Sequence, residues 1–411
     1  MNFTPKKYSQ LKTRLRQRYS KDLILILRNL RKYPERRIVR WLSEHSSELK
    51  EFNSTNWLFL SNLQTFYFFC SKSTLVEANS FGADEEEIFE KWSHSEFADS
   101  FLKGLNRGWS LQKSSLKSVD EFDKHLVTFA ERQILKVSST STSYRIQSSL
   151  GEFKKHKKII KLLETTLHVE GKELKLMTLN LREMKLFSQR IENALKVIKE
   201  VSPSSWERFK SFTEVIVPIK QQELVSYSHQ DLPGHSMINL YHRDFVDLMD
   251  DLLHENGHHH LNYYLNLKCL INESTENIYY SPWRKTLRPL RGVFHAYFTF
   301  FWAFKFFSDL VQSKSNDSIF SLFSDQETEK IFWRAIEEHY MLDYTYLELK
   351  WARKKGLIHL TGWNLIQEQQ KEIARTRRLI PKWTKMLRSH KSDLKDLQQA
   401  LDLAKKLYLS K

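Results

Sequence analysis

Residues 247–265 read DLMDDLLHENGHHHLNYYL and contain His254-Glu255-Asn256-Gly257-His258. Residues four apart in a helix project from one face, one turn apart, so two imidazoles can share a metal ion while Glu255 points to an adjacent face. At about 100° per residue, Asp247, Asp251, His254 and His258 fall on one side, opposite Phe245, Met249 and Leu252. The pattern predicts a helix with an apolar ridge toward a core and a stripe of acids and imidazoles toward a cleft. Gly257 is its weak point, because a mid-helix glycine costs about 1 kcal/mol relative to alanine unless a close neighbour needs the missing side chain. The aspartates suit the positive end of the helix dipole, with hydrogen bonds orienting His254 as the alternative. His259 and His260 point away from the first pair and are expected to be surface or packing residues.

With 16 histidines in 411 residues, chance alone would place H-E-x-x-H in about 4% of chains of this composition, so the motif needs support. A second constellation supplies it: Tyr279-Tyr280-Ser281-Pro282-Trp283-Arg284, Arg288-Pro289, Arg291-Gly292 and His295. Guanidinium groups make bidentate contacts to carboxylate or phosphate, so Arg284, Arg288 and Arg291 point to an anion pocket beside the metal. The plainer alternative is a helix start whose arginines pair with acids elsewhere. His295 lies within GVFHAYFTFFWAF (residues 292–304), too short for the roughly 20 residues of a membrane span and therefore read as a buried helix. A buried imidazole needs a partner, and two upstream histidines lack a third ligand. His295 is favoured for that place over Glu273 and Glu276, whose spacing from His258 is reminiscent of zincins with a glutamate on the next helix.

The rest of the chain frames this site. With 41% hydrophobic and 13% aromatic residues, it can bury a substantial core, and 10 glycines and 8 prolines are too few for a turn-dense all-β design. The fold class expected is mainly α with a small β component. Residues 1–150 read as an N-terminal helical domain, with apolar periodicity in 21–32, 36–52 and 57–69. The Ser/Thr-rich stretch at 137–153 is the expected boundary, and residues 151–411 form the metal-binding domain. In that second part the sequence predicts a hairpin around Glu170-Gly171-Lys172 and a helix closed by Ser202-Pro203. A short helix around Trp206 follows, then strands in EVIVPI, ELVSYSH and SMINLY. From about Arg243 onward the pattern is nearly all helical.

The net charge of +16 is unevenly placed: residues 1–50 hold 14 Lys/Arg against 4 Asp/Glu, and residues 351–411 hold 15 against 5. The middle is mildly acidic, so the basic ends read as solvated helix faces or as a dock for an acidic partner or leader. No nucleic-acid-binding module is legible. The two cysteines cannot build a disulfide framework, and the first residues lack the apolar run of a secretory signal, so a cytoplasmic location is expected.

The ordered set His254-Glu255-x-x-His258-His259, Ser281-Pro282-Trp283-Arg284, Arg288-Pro289, Gly292 and His295 resembles the HExxH-motif peptide-modification proteins, the 2-oxoglutarate-dependent HExxH-type peptide β-hydroxylases. The resemblance covers about residues 165–390. It implies a zincin-like metal-binding domain and an iron(II) oxygenase that uses 2-oxoglutarate to hydroxylate an aliphatic carbon of a peptide or protein. His254, His258 and His295 would hold the metal, Arg284, Arg288 or Arg291 would clamp the cosubstrate, and Glu255 would handle protons. Three histidines depart from the common pair of histidines and one carboxylate. The same residues would also serve a metallopeptidase in which Zn2+ activates water and Glu255 is the general base.

Overall fold

The computed structural model describes residues 3–14, 40, 43–44, 135–136, 168–169, 172–173, 181–213, 215–219, 222, 225–228, 235–272, 276, 278–313 and 317–409. Apart from residues 40, 43 and 44, which are helical, the helices expected at 21–32, 36–52 and 57–69, and the boundary at 137–153, lie outside them. The described part is mainly helical with a few short strands, as its composition requires. Among the described residues no helix is long and apolar enough to cross a membrane.

In chain order, the helices are α1 (residues 5–14), α2 (Leu181–Val201), α3 (Pro203–Phe212), α4 (Phe245–Leu265), α5 (Leu290–Gln312), α6 (Asp325–Lys354), α7 (Leu360–Thr376) and α8 (Lys391–Tyr408), besides single turns of helix. The break between α2 and α3 falls at Ser202-Pro203, where proline is tolerated as a first helical residue and forbids continuation of the preceding helix. The strands are β1 (Leu135–Lys136), β2 (His168–Val169), β3 (Lys172–Glu173), β4 (Val215–Ile219), β5 (Tyr227–Ser228), β6 (His235–Asn239), β7 (Tyr279–Ser281) and β8 (Thr286–Arg288). Strands β2 and β3 form the expected hairpin.

One sheet has the order β1-β4-β6-β5, with β4 parallel to β6 and β5 antiparallel to β6 at the edge. Helix α4 packs on it, and Ile216 and Ile238 of the sheet share a core with Val246, Leu248 and Met249 of the helix. Asp244 caps α4 by accepting a 2.8 Å hydrogen bond from the Asp247 amide, which satisfies one of the first-turn donors.

Helix α5 is almost wholly apolar because it lies between α4 and α6. Its Phe306, Phe307 and Leu310 enter the core near the sheet, while Phe294, Phe298 and Phe301 enter a second core with Leu261, Ile366 and Ile373. Each fully buried phenylalanine contributes about 1.5–3 kcal/mol, so this helix fixes the frame on which the site is built. Gly257 is the close approach on which the helix-breaking residue depends. A Cβ there would meet the Thr299 Cα at 3.1 Å and the Trp302 ring at 3.2 Å, so glycine lets α4 and α5 touch. Its neighbour Asn256, fully buried, donates to the Phe209 carbonyl and to Thr213 Oγ1 (2.8 Å), tying α4 to the end of α3.

Residues 3–14, part of the N-terminal region in sequence, pack on this same core. Tyr8 and Phe3 meet the His260 ring edge-on, at centroid distances of 5.1 and 5.8 Å. Beside them the fully buried Arg208 guanidinium lies 3.9 Å over the Trp302 ring. Burial lowers its pKa to about 9, an effect that neighbouring Tyr8 opposes.

Beyond Arg243 the described residues are nearly all helical, as expected, and the exception falls at residues 279–288. Tyr279–Ser281 and Thr286–Arg288 form an antiparallel hairpin, registered Tyr279 with Arg288 and Ser281 with Thr286. Its four-residue loop, Pro282–Lys285, turns through Lys285 at φ 50°. That left-handed position usually carries glycine or asparagine, and lysine there removes the signal by which a hairpin is recognised.

Candidate metal centre

Helix α4, the β7–β8 loop, the first turns of α5 and the middle of α6 enclose a cavity of about 790 Å3. It is lined by His254, Glu255 and His258 from α4, Arg284 and Arg288 from the hairpin, and Arg291 and His295 from α5. Residues separated by up to 41 positions, singled out by type and spacing, thus face one space.

The His254 and His258 Nε2 atoms lie 3.2 Å apart. Two nitrogens at that separation, each about 2.0–2.1 Å from a common ion, subtend about 100° at it, between octahedral and tetrahedral values. One ligand atom from each of His254, Glu255 and His258 gathers within 4.8 Å, the only such group of three among the described residues. Burial lowers the His258 pKa to about 4. Burial, with His258 and Arg284 nearby, holds His254 well below its ordinary value. Both imidazoles are therefore neutral at neutral pH, the form that offers a lone pair to a metal.

His295 faces the same cavity, and its buried Nε2 has no hydrogen-bond partner. Burial, Arg291 and His258 keep this ring neutral too. It does not belong to the tight group. Its centroid is 6.1 Å from that of His258, against 4.9 Å between His254 and His258. Of the competing third ligands, Glu276 is exposed and does not line the cavity, and Glu273 lies outside the described residues.

Glu255 is buried against edge strand β5, where Ser228 Oγ donates to its Oε2 at 2.5 Å. Burial pushes its carboxyl up to about 8, although the Ser228 bond opposes this; Asp251 and Asp250 add to the rise. Arg284 and Arg288 stand exposed along the cavity, and neither has a carboxylate within ion-pair distance among the described residues. Trp283, between the arginines and the core, stacks on Phe300 at 4.5 Å and donates from Nε1 to Glu338 at 2.9 Å. Phe300 in turn lies 4.2 Å from the His254 ring.

The aspartates of the stripe have structural partners. Asp247 pairs with Lys330 at 2.7 Å and Arg334 at 3.1 Å; these cations override burial and hold its carboxyl below the ordinary value. Asp251 accepts from Ser226 and pairs with Arg243, while burial raises it to about 7. Neither orients His254, whose Nδ1 has no partner. His259 and His260 are packing residues, both buried. His259 bonds Ser236 at 3.1 Å, and His260 stacks on Phe212 at 4.4 Å.

Sequence reading did not find the acids that α6 brings to the cavity, Glu337 and Glu338, together with Arg334. They lie about 80 residues beyond the motif in an ordinary mixed-charge helix, and no spacing rule links them to it. No family model matches the chain, and no curated protein matches it.

Proposed function

We propose that the chain is an iron(II)- and 2-oxoglutarate-dependent oxygenase that hydroxylates an aliphatic carbon of a peptide or protein substrate. The observation that carries this reading is the convergence, in one cavity, of three neutral imidazoles with two arginines that lack carboxylate partners among the described residues. A zincin-like frame, with a motif helix packed beside an antiparallel edge strand, is part of the same proposal.

The donor set fits a metal: His254 and His258 would hold it through Nε2, and His295, whose Nε2 has no other partner, would complete the set once its ring moves closer to the pair. Bound iron with 2-oxoglutarate and O2 supplies the oxidation, in which one oxygen atom enters the substrate C–H bond and the other enters succinate as CO2 leaves. Arg284 and Arg288 offer bidentate donors to the dicarboxylate. Trp283 and Phe300 form an aromatic wall that keeps water from the His254 side of the site. Glu255, held by Ser228, is placed to accept or return a proton beside the histidine pair.

The placement of Glu255 also favours a second reading, a zinc peptidase with this carboxylate as general base. Purified protein supplied with Fe(II), O2 and a peptide substrate should convert 2-oxoglutarate to succinate. Arg288→Ala should raise the 2-oxoglutarate concentration needed about tenfold or more while leaving metal content unchanged, the loss of one charge-assisted contact. Peptide cleavage with Zn2+ that Glu255→Gln abolishes, with no succinate formed, would establish the peptidase instead.

A further inference from the structure

The cavity is lined by carboxylates as well as by imidazoles and arginines. One helical turn before His254 stands Asp250, 7% exposed, whose Oδ1 is buried without a hydrogen-bond partner. Across from it on α6 is Glu338, 1% exposed, which receives the Trp283 Nε1 hydrogen bond at 2.9 Å. No cation lies within ion-pair distance of Glu338 among the described residues. The nearest guanidinium, Arg334, is 3.6 Å from Asp250 Oδ2 and is shared with Asp247 at 3.1 Å and Glu337 at 3.2 Å. Arg243 and Lys330, paired with Asp251 and Asp247, act on Asp250 from farther off, so the carboxylates gathered here still outnumber the cations among them, and burial makes that costly.

We propose that the Asp250–Glu338 end of the cavity is a subsite for an organic cation, the ammonium or guanidinium of a basic side chain on the substrate. A metal ion suits it less: among the described residues the only three potential ligands gathered within 4.8 Å are His254, Glu255 and His258. The dimensions suit a lysine-like stem. Asp250 precedes His254 by four residues, about 6 Å of helix rise. The Cβ-to-Nζ stretch of lysine, four bonds, spans about 5 Å. An amine held by the two carboxylates would thus lay its methylenes along Trp283 and Phe300, with its inner carbons beside His254. The subsite rests on the proposed enzymatic site only for its position relative to the reacting centre, and it is tested without metal, O2 or turnover.

Calorimetric titration of the metal-free full-length protein with N-acetyl-lysine methylamide and its neutral isostere N-acetyl-norleucine methylamide decides the matter. The lysine derivative should bind about tenfold or more tightly than the norleucine derivative, as expected for a charged hydrogen bond in a buried site. Glu338→Gln should remove that preference; if this variant does not fold, Asp250→Asn serves the same comparison. Equal affinities, no saturable binding of the lysine derivative, or an undiminished preference in the variant would overturn the subsite. A lysine preference without 2-oxoglutarate turnover would retain the subsite and reject the oxygenase.

Discussion

Replacing His258 by alanine is expected to lower Fe(II) affinity by at least about 100-fold and to abolish 2-oxoglutarate turnover, since even outer partners of metal ligands are worth about 10–100-fold. The 3.2 Å separation of the two Nε2 atoms makes His254 and His258 a chelating pair, and either imidazole alone is a monodentate ligand. The fold should survive, because both rings border the cavity rather than the cores around α5. Metal content measured by atomic emission after equilibrium dialysis, beside an unchanged circular dichroism spectrum, checks this outcome. Retention of wild-type metal content would remove the pair from the site.

Gly257→Val is expected to be the most damaging single change between the two histidines that leaves every proposed ligand in place. Its Cβ would fall 3.1 Å from the Thr299 backbone, and its methyls would have no room against Trp302. Overpacking of this kind costs about 1–3 kcal/mol, and α4 and α5 can relieve it only by separating. Separation would carry His295, one turn from Thr299 on α5, away from the His254–His258 pair. The variant should melt several degrees lower and bind metal more weakly, while Gly257→Ala shows the same changes in smaller degree. Unchanged melting in Gly257→Val would show that the two helices do not depend on this contact.

The legible and illegible parts of the molecule divide along physical lines. Helices α4 and α5 were readable because apolar periodicity and an unbroken aromatic run are local properties, and the sense of Gly257 followed from its anomaly within a helix. Strands β4, β5 and β6 carried short apolar runs bounded by polar residues. The β7–β8 hairpin left no such trace, since Lys285 holds the left-handed position without glycine or asparagine. The convergence of Arg284, Arg288, Arg291 and His295 with the motif was suggested by residue type, but the hairpin, rather than a helix start, presents Arg284 and Arg288. Asp250 was visible only as a further carboxylate beside the acidic stripe of Asp247 and Asp251. Its buried counterpart Glu338 was not, because tertiary packing of α6 brings together residues 88 positions apart in sequence.

The geometry of His295 bears most directly on the proposed chemistry, because a third imidazole separates this site from a bare histidine pair. X-ray absorption spectroscopy of the anaerobic Fe(II)-loaded protein and of His295→Ala measures the number of imidazoles on the metal. Three in the parent and two in the variant are predicted, with the His295 ring drawn closer to His258 than its 6.1 Å centroid separation as metal binds. Identical spectra, with two imidazoles in both proteins, would contradict the three-nitrogen site.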